Sequence, residues 1–126
     1  MKKRILIKAE SSVLEAELDN GRVAQALWEA LPIRAKCSTW GEEICFPIPV
    51  EQENDNGQEV VNAGELGYWP PGRALCIFFG PTPASHWDEI RPSSAVMVLG
   101  RVIIDLALFK SIRPGAEIVL EGSEAV

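Results

Sequence analysis

Two short stretches hold most of the side chains that could do chemistry. The first, "TWGEEICF" from Thr39 to Phe46, sets Trp40 beside a glycine and two adjacent carboxylates, Glu42 and Glu43. A carboxylate desolvated by a neighbouring indole holds its proton more tightly and can serve as an acid, a base or a polar anchor. Successive strand residues point to opposite faces, so only one of the two can enter a shared pocket. The competing reading is a carboxylate that simply faces solvent.

The second stretch, "GYWPPGRALCIFFGPTP", runs from Gly67 to Pro83. Pro70-Pro71-Gly72 makes a rigid turn that can present the ring of Tyr68 or Trp69. Residues Arg73 to Phe79 then alternate between two faces. A barrel interior has limited room, so Ala74, Cys76 and Phe78, the set with two small residues, are expected inward. That leaves Leu75, Ile77 and Phe79 outward, where a soluble protein must cover or use them. The functional reading is an aromatic-lined groove on the outer wall. The plainer one has loops or a helix covering this face and the rings serving as core.

Other reactive residue types carry less. Cys37, Cys45 and Cys76 are an odd number at wide spacings, unlike a secreted disulfide framework. They are expected as small apolar core residues, and with His86 the lone histidine, no zinc set and no other metal site is expected. His86 sits in a polar loop with Trp87 and Asp88, and no serine in a recognisable elbow accompanies it, so a catalytic triad has little support.

The elements that position these residues follow from pattern. "KRILIKAE" and "SVLEAEL" alternate as strands, with Ile5 and Ile7 on one face and Leu14, Ala16 and Leu18 on one face. Asp19 or Asn20 is expected to cap the helix "RVAQALWEAL", where Val23, Ala26, Leu27, Ala30 and Leu31 form an apolar stripe that Pro32 ends. Short strands are expected in "IRAKCSTW", "EEICFPIPV", Glu59 to Asn62, Leu66 to Trp69, Arg73 to Phe79, "AVMVLGRVII" and "AEIVLEG". "EQENDNGQ", Glu51 to Gln58, reads as an exposed acidic loop, and "DLALFKSI" as a short second helix.

The 126 residues suit one domain, 1–126, and a net charge of −6 with no basic stripe speaks against nucleic acid. No run approaches the ~18 apolar residues of a membrane span. Lys2-Lys3-Arg4 imitates the start of a signal peptide, but the apolar run behind it is too short, so a cytoplasmic location is expected.

The order of strand, strand and helix with "SVLEAELDNGRVAQALWEALP", and the C-terminal "VLGRVIIDLALFKSI", resemble the cyclophilins. "TWGEEICFPIP" together with the Trp-Pro-Pro-Gly stretch is similar to a small prokaryotic family of cyclophilin-like proteins of uncharacterised function. The resemblance covers essentially the whole chain. It implies a mainly β fold, a closed cyclophilin-like barrel of about eight strands with two helices covering the ends. Cyclophilins are peptidyl-prolyl isomerases, and the family's arginine on the outer wall would weaken amide resonance in the twisted state. Aligning "CFPIPV" places Ile48 at that arginine's position, with Arg34, Lys36 and Arg73 as the nearest substitutes. Phe79 falls near the family's pocket phenylalanine, and the resemblance selects Glu43 over Glu42.

The expectation is therefore a small-molecule or peptide site formed by Trp40, Glu43, Tyr68, Trp69 and Phe79, with no cofactor. Prolyl isomerisation and a protein-interaction wall, self-association included, are the alternatives.

Overall fold

The computed structural model describes residues 3–10, 12–53, 56–103 and 106–123. β1 (Lys3–Ala9) and β2 (Ser12–Leu18) form the expected antiparallel hairpin, with Ile5 opposite Ala16 and Ile7 opposite Leu14. Their burial alternates: Ile5, Ile7, Leu14 and Ala16 are sealed inside, while Leu6, Lys8, Glu15 and Glu17 occupy the outer, partly exposed positions. On that outer side Lys8 pairs with Glu121 at 2.7 Å.

α1 (Arg22–Ala30) buries Val23, Ala24 and Leu27. Its N-cap is Gly21 rather than Asp19 or Asn20. The Asp19 carboxylate instead accepts the Gly21 N–H at 2.8 Å, tightening the turn that precedes the helix. The chain continues into β3 (Ile33–Lys36), β4 (Ser38–Thr39), β5 (Glu43–Pro47), β6 (Glu65–Trp69), β7 (Ala74–Phe78), β8 (Met97–Val102) and β9 (Glu117–Gly122).

The nine strands form one antiparallel sheet in the order β3-β9-β1-β2-β8-β6-β7-β5-β4. Its two terminal strands, β3 and β4, are successive in the chain and separated only by Cys37. The Cys37 N–H donates to Ala116 at 2.9 Å and its carbonyl accepts from Gly115 at 2.8 Å, so the bend is tied to the start of β9. Counted as one bent strand, residues 33–39 leave a nearly closed barrel close to the expected strand number.

The expected second helix is not α-helical. Leu106–Ser111 is a 3-10 segment, and Asp105 lies outside the described residues. Phe109 and the following Ile112 are buried in the main core. Glu59 to Asn62 is not a strand either; isolated bridges join Gln58 to Val96 and Val61 to Ile90. The acidic loop is largely exposed, and its Asn54 and Asp55 lie outside the described residues, as do Lys2 and Ile104.

The largest correction concerns β7. Leu75 and Ile77 face the barrel interior, packed in one core with Ile44, Phe46, Leu66 and Tyr68. Cys76 and Phe78 face outward but are covered by Val61, Ile90 and Val96 in a second apolar cluster. The assignment by side-chain size therefore runs the wrong way: in this sector the interior takes Leu75 and Ile77, and a loop layer covers Cys76 and Phe78 of the set with two small residues. All five residues of β7 are buried.

Candidate functional site

The outer face of β5, β6 and β7 is set by strand register. Glu43 lies opposite Phe78, Cys45 opposite Cys76, Pro47 opposite Ala74, and Trp69 opposite Ala74. Where the covering loops end, this face opens into a cavity of about 480 Å³, with Trp40, Trp69, Glu43, Cys45, Ala74 and Ser93 in its lining.

Local sequence explains how each wall is held. The Trp-Pro-Pro-Gly motif is a 3-10 turn, Pro70–Gly72, closed by the Arg73 N–H donating to the Pro70 carbonyl at 3.1 Å with Arg73 in the left-handed region. The Trp69 ring folds back over this turn. A Cβ on Gly72 would stand 2.7 Å from the ring, so the glycine is what allows the stack. The Trp69 indole N–H donates to Ser94 at 2.6 Å, fixing the ring at the cavity edge.

On the other side Gly41, at φ 63°, turns the chain between Trp40 and Glu42, and a Cβ there would meet Thr82 and Pro83 at 2.9 Å. The Glu42 N–H donates to the Pro81 carbonyl at 3.0 Å, which anchors the turn. Trp40 remains 37% exposed. The Glu42 carboxylate packs over Gly80, whereas Glu43 turns toward the cavity and is only 4% exposed, so the solvent-facing reading of Glu43 does not hold.

Of the five expected site residues, the structure brings Trp40, Glu43 and Trp69 together and leaves two elsewhere. Tyr68 is wholly buried in the core, its hydroxyl donating to the Val50 carbonyl at 2.7 Å and accepting the Gln52 N–H. Phe79 packs on the same core and stacks with Phe109, ring centroids 5.7 Å apart. Both face away from the cavity because they occupy the inward positions of β6 and of the extension of β7.

Two residues that sequence reasoning set aside join the site. The Cys45 thiol lies 2.7 Å from a Glu43 carboxylate oxygen and 2.7 Å from the Cys76 sulfur. Oε2 of Glu43 is the oxygen that meets Cys45; Oε1 is buried and finds no hydrogen-bonding partner among the described residues. Burial pushes the Glu43 carboxyl above its ordinary range, only partly offset by the two thiols. The contact with Cys45, then burial, pushes the Cys76 thiol strongly up. Cys76 holds Cys45 down, but burial and the nearby carboxylate outweigh it and leave that thiol raised as well. The spacing Glu43-x-Cys45 places both groups on one strand face, a signal readable in the sequence. The arrival of Cys76 depends on a strand pairing that the sequence alone does not display.

The position aligned with the cyclophilin arginine is Ile48, which is buried in the core. Among the described residues no arginine lines this cavity. Arg34 pairs with Glu117 at 2.6 Å and Arg73 with Glu51 at 3.7 Å, and Lys36 is exposed outside it. His86 and Trp87 are exposed in the 81–90 loop, Trp87 at 95%. A larger hollow, about 730 Å³, lies by Trp28, Leu31 and Glu121, but among the described residues it gathers no cluster of reactive groups.

Residues 3–121 match the family model described as Cyclophilin-like. The chain belongs to the cyclophilin-like family. A solved structure similar to this chain is that of the hypothetical protein AF2241 from Archaeoglobus fulgidus, a solution structure. It is 38% identical to this chain, covers 97% of it over 95% of its own length, and superposes with a TM-score of 0.82. No curated protein matches the chain significantly. The family thus accounts for the barrel, and the cavity residues have to speak for function.

Proposed function

We propose that this protein binds a small molecule in the cavity between Trp40 and Trp69, with Glu43 as the polar anchor. The supporting observation is Glu43 Oε1, buried without a hydrogen-bonding partner among the described residues, on a residue that lines the aromatic-walled hollow. A buried acceptor without a partner is costly, and a ligand donor reaching it recovers that cost. The volume of about 480 Å³ falls in the usual range of small-ligand sites, roughly 300–1,000 Å³. Two indoles line the hollow, and aromatic walls suit a flat or cationic group, so the ligand class that fits is a planar molecule carrying an N–H donor.

A ligand-observed NMR screen of planar N–H fragments, followed by titration of intrinsic tryptophan fluorescence, tests this. Binding should be lost in Trp40→Ala and Trp69→Ala variants that retain the parent circular dichroism, and kept in Tyr68→Phe. Fragments that bind the two alanine variants with parent affinity would refute the assignment. Against the prolyl-isomerase alternative stands the lack of a guanidinium among the described cavity residues, which removes the group that would stabilise the twisted amide. The expected result of a protease-coupled proline-peptide assay is the uncatalysed rate.

A further inference from the structure

The Glu43, Cys45 and Cys76 side chains form a compact donor set on the cavity side of the barrel. One carboxylate oxygen and the two sulfurs all lie within 4.8 Å of one another. They come from two adjacent strands whose register is fixed by the barrel, so the set is preformed rather than assembled from loops. We propose that these three residues bind a borderline divalent cation of the Zn2+ class, leaving its fourth position open toward the cavity.

The donor types select the ion. Two thiolates exclude the hard, oxygen-seeking cations such as Mg2+ and Ca2+, while a carboxylate alongside them suits an ion that accepts both sulfur and oxygen. Three protein donors with one open position is the arrangement of zinc sites that keep a place for water or substrate. Little movement is needed. The sulfurs, 2.7 Å apart, must spread to the roughly 3.8 Å that two thiolates subtend on a tetrahedral ion with bonds of about 2.3 Å. Binding displaces the two thiol protons, and the carboxyl proton where present, to solvent; no oxidant or reductant takes part.

The other chemistry open to this pair is a Cys45–Cys76 disulfide. Oxidation would remove the S–H donor that now faces Glu43 Oε2 and leave a nearly sealed carboxylate with neither oxygen satisfied. A cation gives that carboxylate the partner it lacks. A thiol poised for redox attack would also sit in electropositive surroundings, whereas the Cys45 thiol is in contact with a carboxyl group. The cation site shares the cavity with the small-molecule reading but does not depend on it, since uptake is measured with no organic ligand present.

The test is titration of the reduced, chelator-treated full chain with Co2+ under anaerobic conditions, followed by back-titration with Zn2+. One equivalent should give thiolate-to-cobalt charge-transfer absorption and the intense visible bands of tetrahedral coordination, both bleached by Zn2+. Cys45→Ser and Cys76→Ser should abolish the charge-transfer band or cut it to the one-sulfur level. Cys37→Ser, whose thiol lies near the Arg113 carbonyl and away from the cavity, should leave it intact. Should a cysteine variant fail to fold, Glu43→Gln serves in its place. It should keep the sulfur band while weakening affinity at least about 10-fold and altering the visible bands. A reduced protein that takes up no Co2+, or a charge-transfer band that persists unchanged in both Cys45→Ser and Cys76→Ser, overturns the proposal. Fragment binding that survives in the metal-free protein while cobalt uptake fails would leave the small-molecule reading standing alone.

Discussion

Strands β1, β2 and β9 and strands β5, β6 and β7 belong to one sheet but live in different surroundings. In the first group every second residue is buried and its neighbours are at least partly solvated, as in Lys3–Ala9 and Ser12–Leu18. In the second group both faces are covered: the inner by the main core, the outer by Val61, Ile90 and Val96. A strand with two dry faces has no polar alternation to display, and its sequence reads as a continuous apolar run. The doubly covered sector is also where the cover stops short, and the edge of that cover is the cavity lined by Trp40, Trp69, Glu43 and Cys45, with the buried Cys76 thiol against Cys45. The chemistry therefore sits where pattern reading is weakest.

The sharpest way to break this contrast is Phe78→Ala. Phe78 points away from the barrel core, and a solvated outer face would make the change nearly silent. Because the face is sealed, the expected loss is about 3–5 kcal/mol by chemical denaturation. Leu75→Ala on the inner face should cost a similar amount, about 2–5 kcal/mol. A loss below about 1 kcal/mol for Phe78→Ala, beside a large one for Leu75→Ala, would return β7 to a one-sided strand.

Tyr68→Phe should cost less, about 1–3 kcal/mol, because it deprives the buried Val50 carbonyl of its donor while keeping the ring. Fragment affinity should not change, which separates Tyr68 from its neighbour Trp69. A change in affinity with no change in stability would put Tyr68 back in the site.

Glu43→Gln probes the cavity edge through pH. Burial raises the folded-state carboxyl above its unfolded value, so the folded protein holds this proton more tightly. That contribution is fully present below the unfolded carboxyl pKa and is lost as pH rises through the folded one. In chelated buffer, the Glu43→Gln variant should gain Tm relative to the parent as pH climbs from about 4 toward neutrality. Parallel profiles would mean that Glu43 is solvated.

The smallest effect is expected in the first group of strands. Lys8→Ala removes the partner of Glu121, both ends of the pair being near half exposed, and should change stability by about 0.5 kcal/mol or less. A larger change would show that the solvated half of the barrel is less independent than its alternation implies.

Much of the barrel was legible. Ile5 and Ile7 against Leu14 and Ala16, the stripe carrying Val23 and Leu27, and the stop at Pro32 each follow from local pattern, because one face of each element meets water. At the site, Trp40 and Trp69 were picked out by residue type beside turn-forming glycines and prolines, and those turns hold the rings where they stand; Glu43 was chosen over Glu42 by the family resemblance. Tyr68 and Phe79 were misplaced because the orientation of a strand buried on both sides depends on which side the loops cover.

By itself the sequence determined a mainly β chain with many of its turns, the helix after the first hairpin and its motif resemblance, because short-range periodicity and turn chemistry act over a few residues; the second expected helix was not among them. Which face of β7 meets the core, and the meeting of Cys76 with Cys45 and Glu43 across 31 residues of chain, were decided by the tertiary structure. Strand register sets both, and register is fixed by pairings between segments that are remote in sequence.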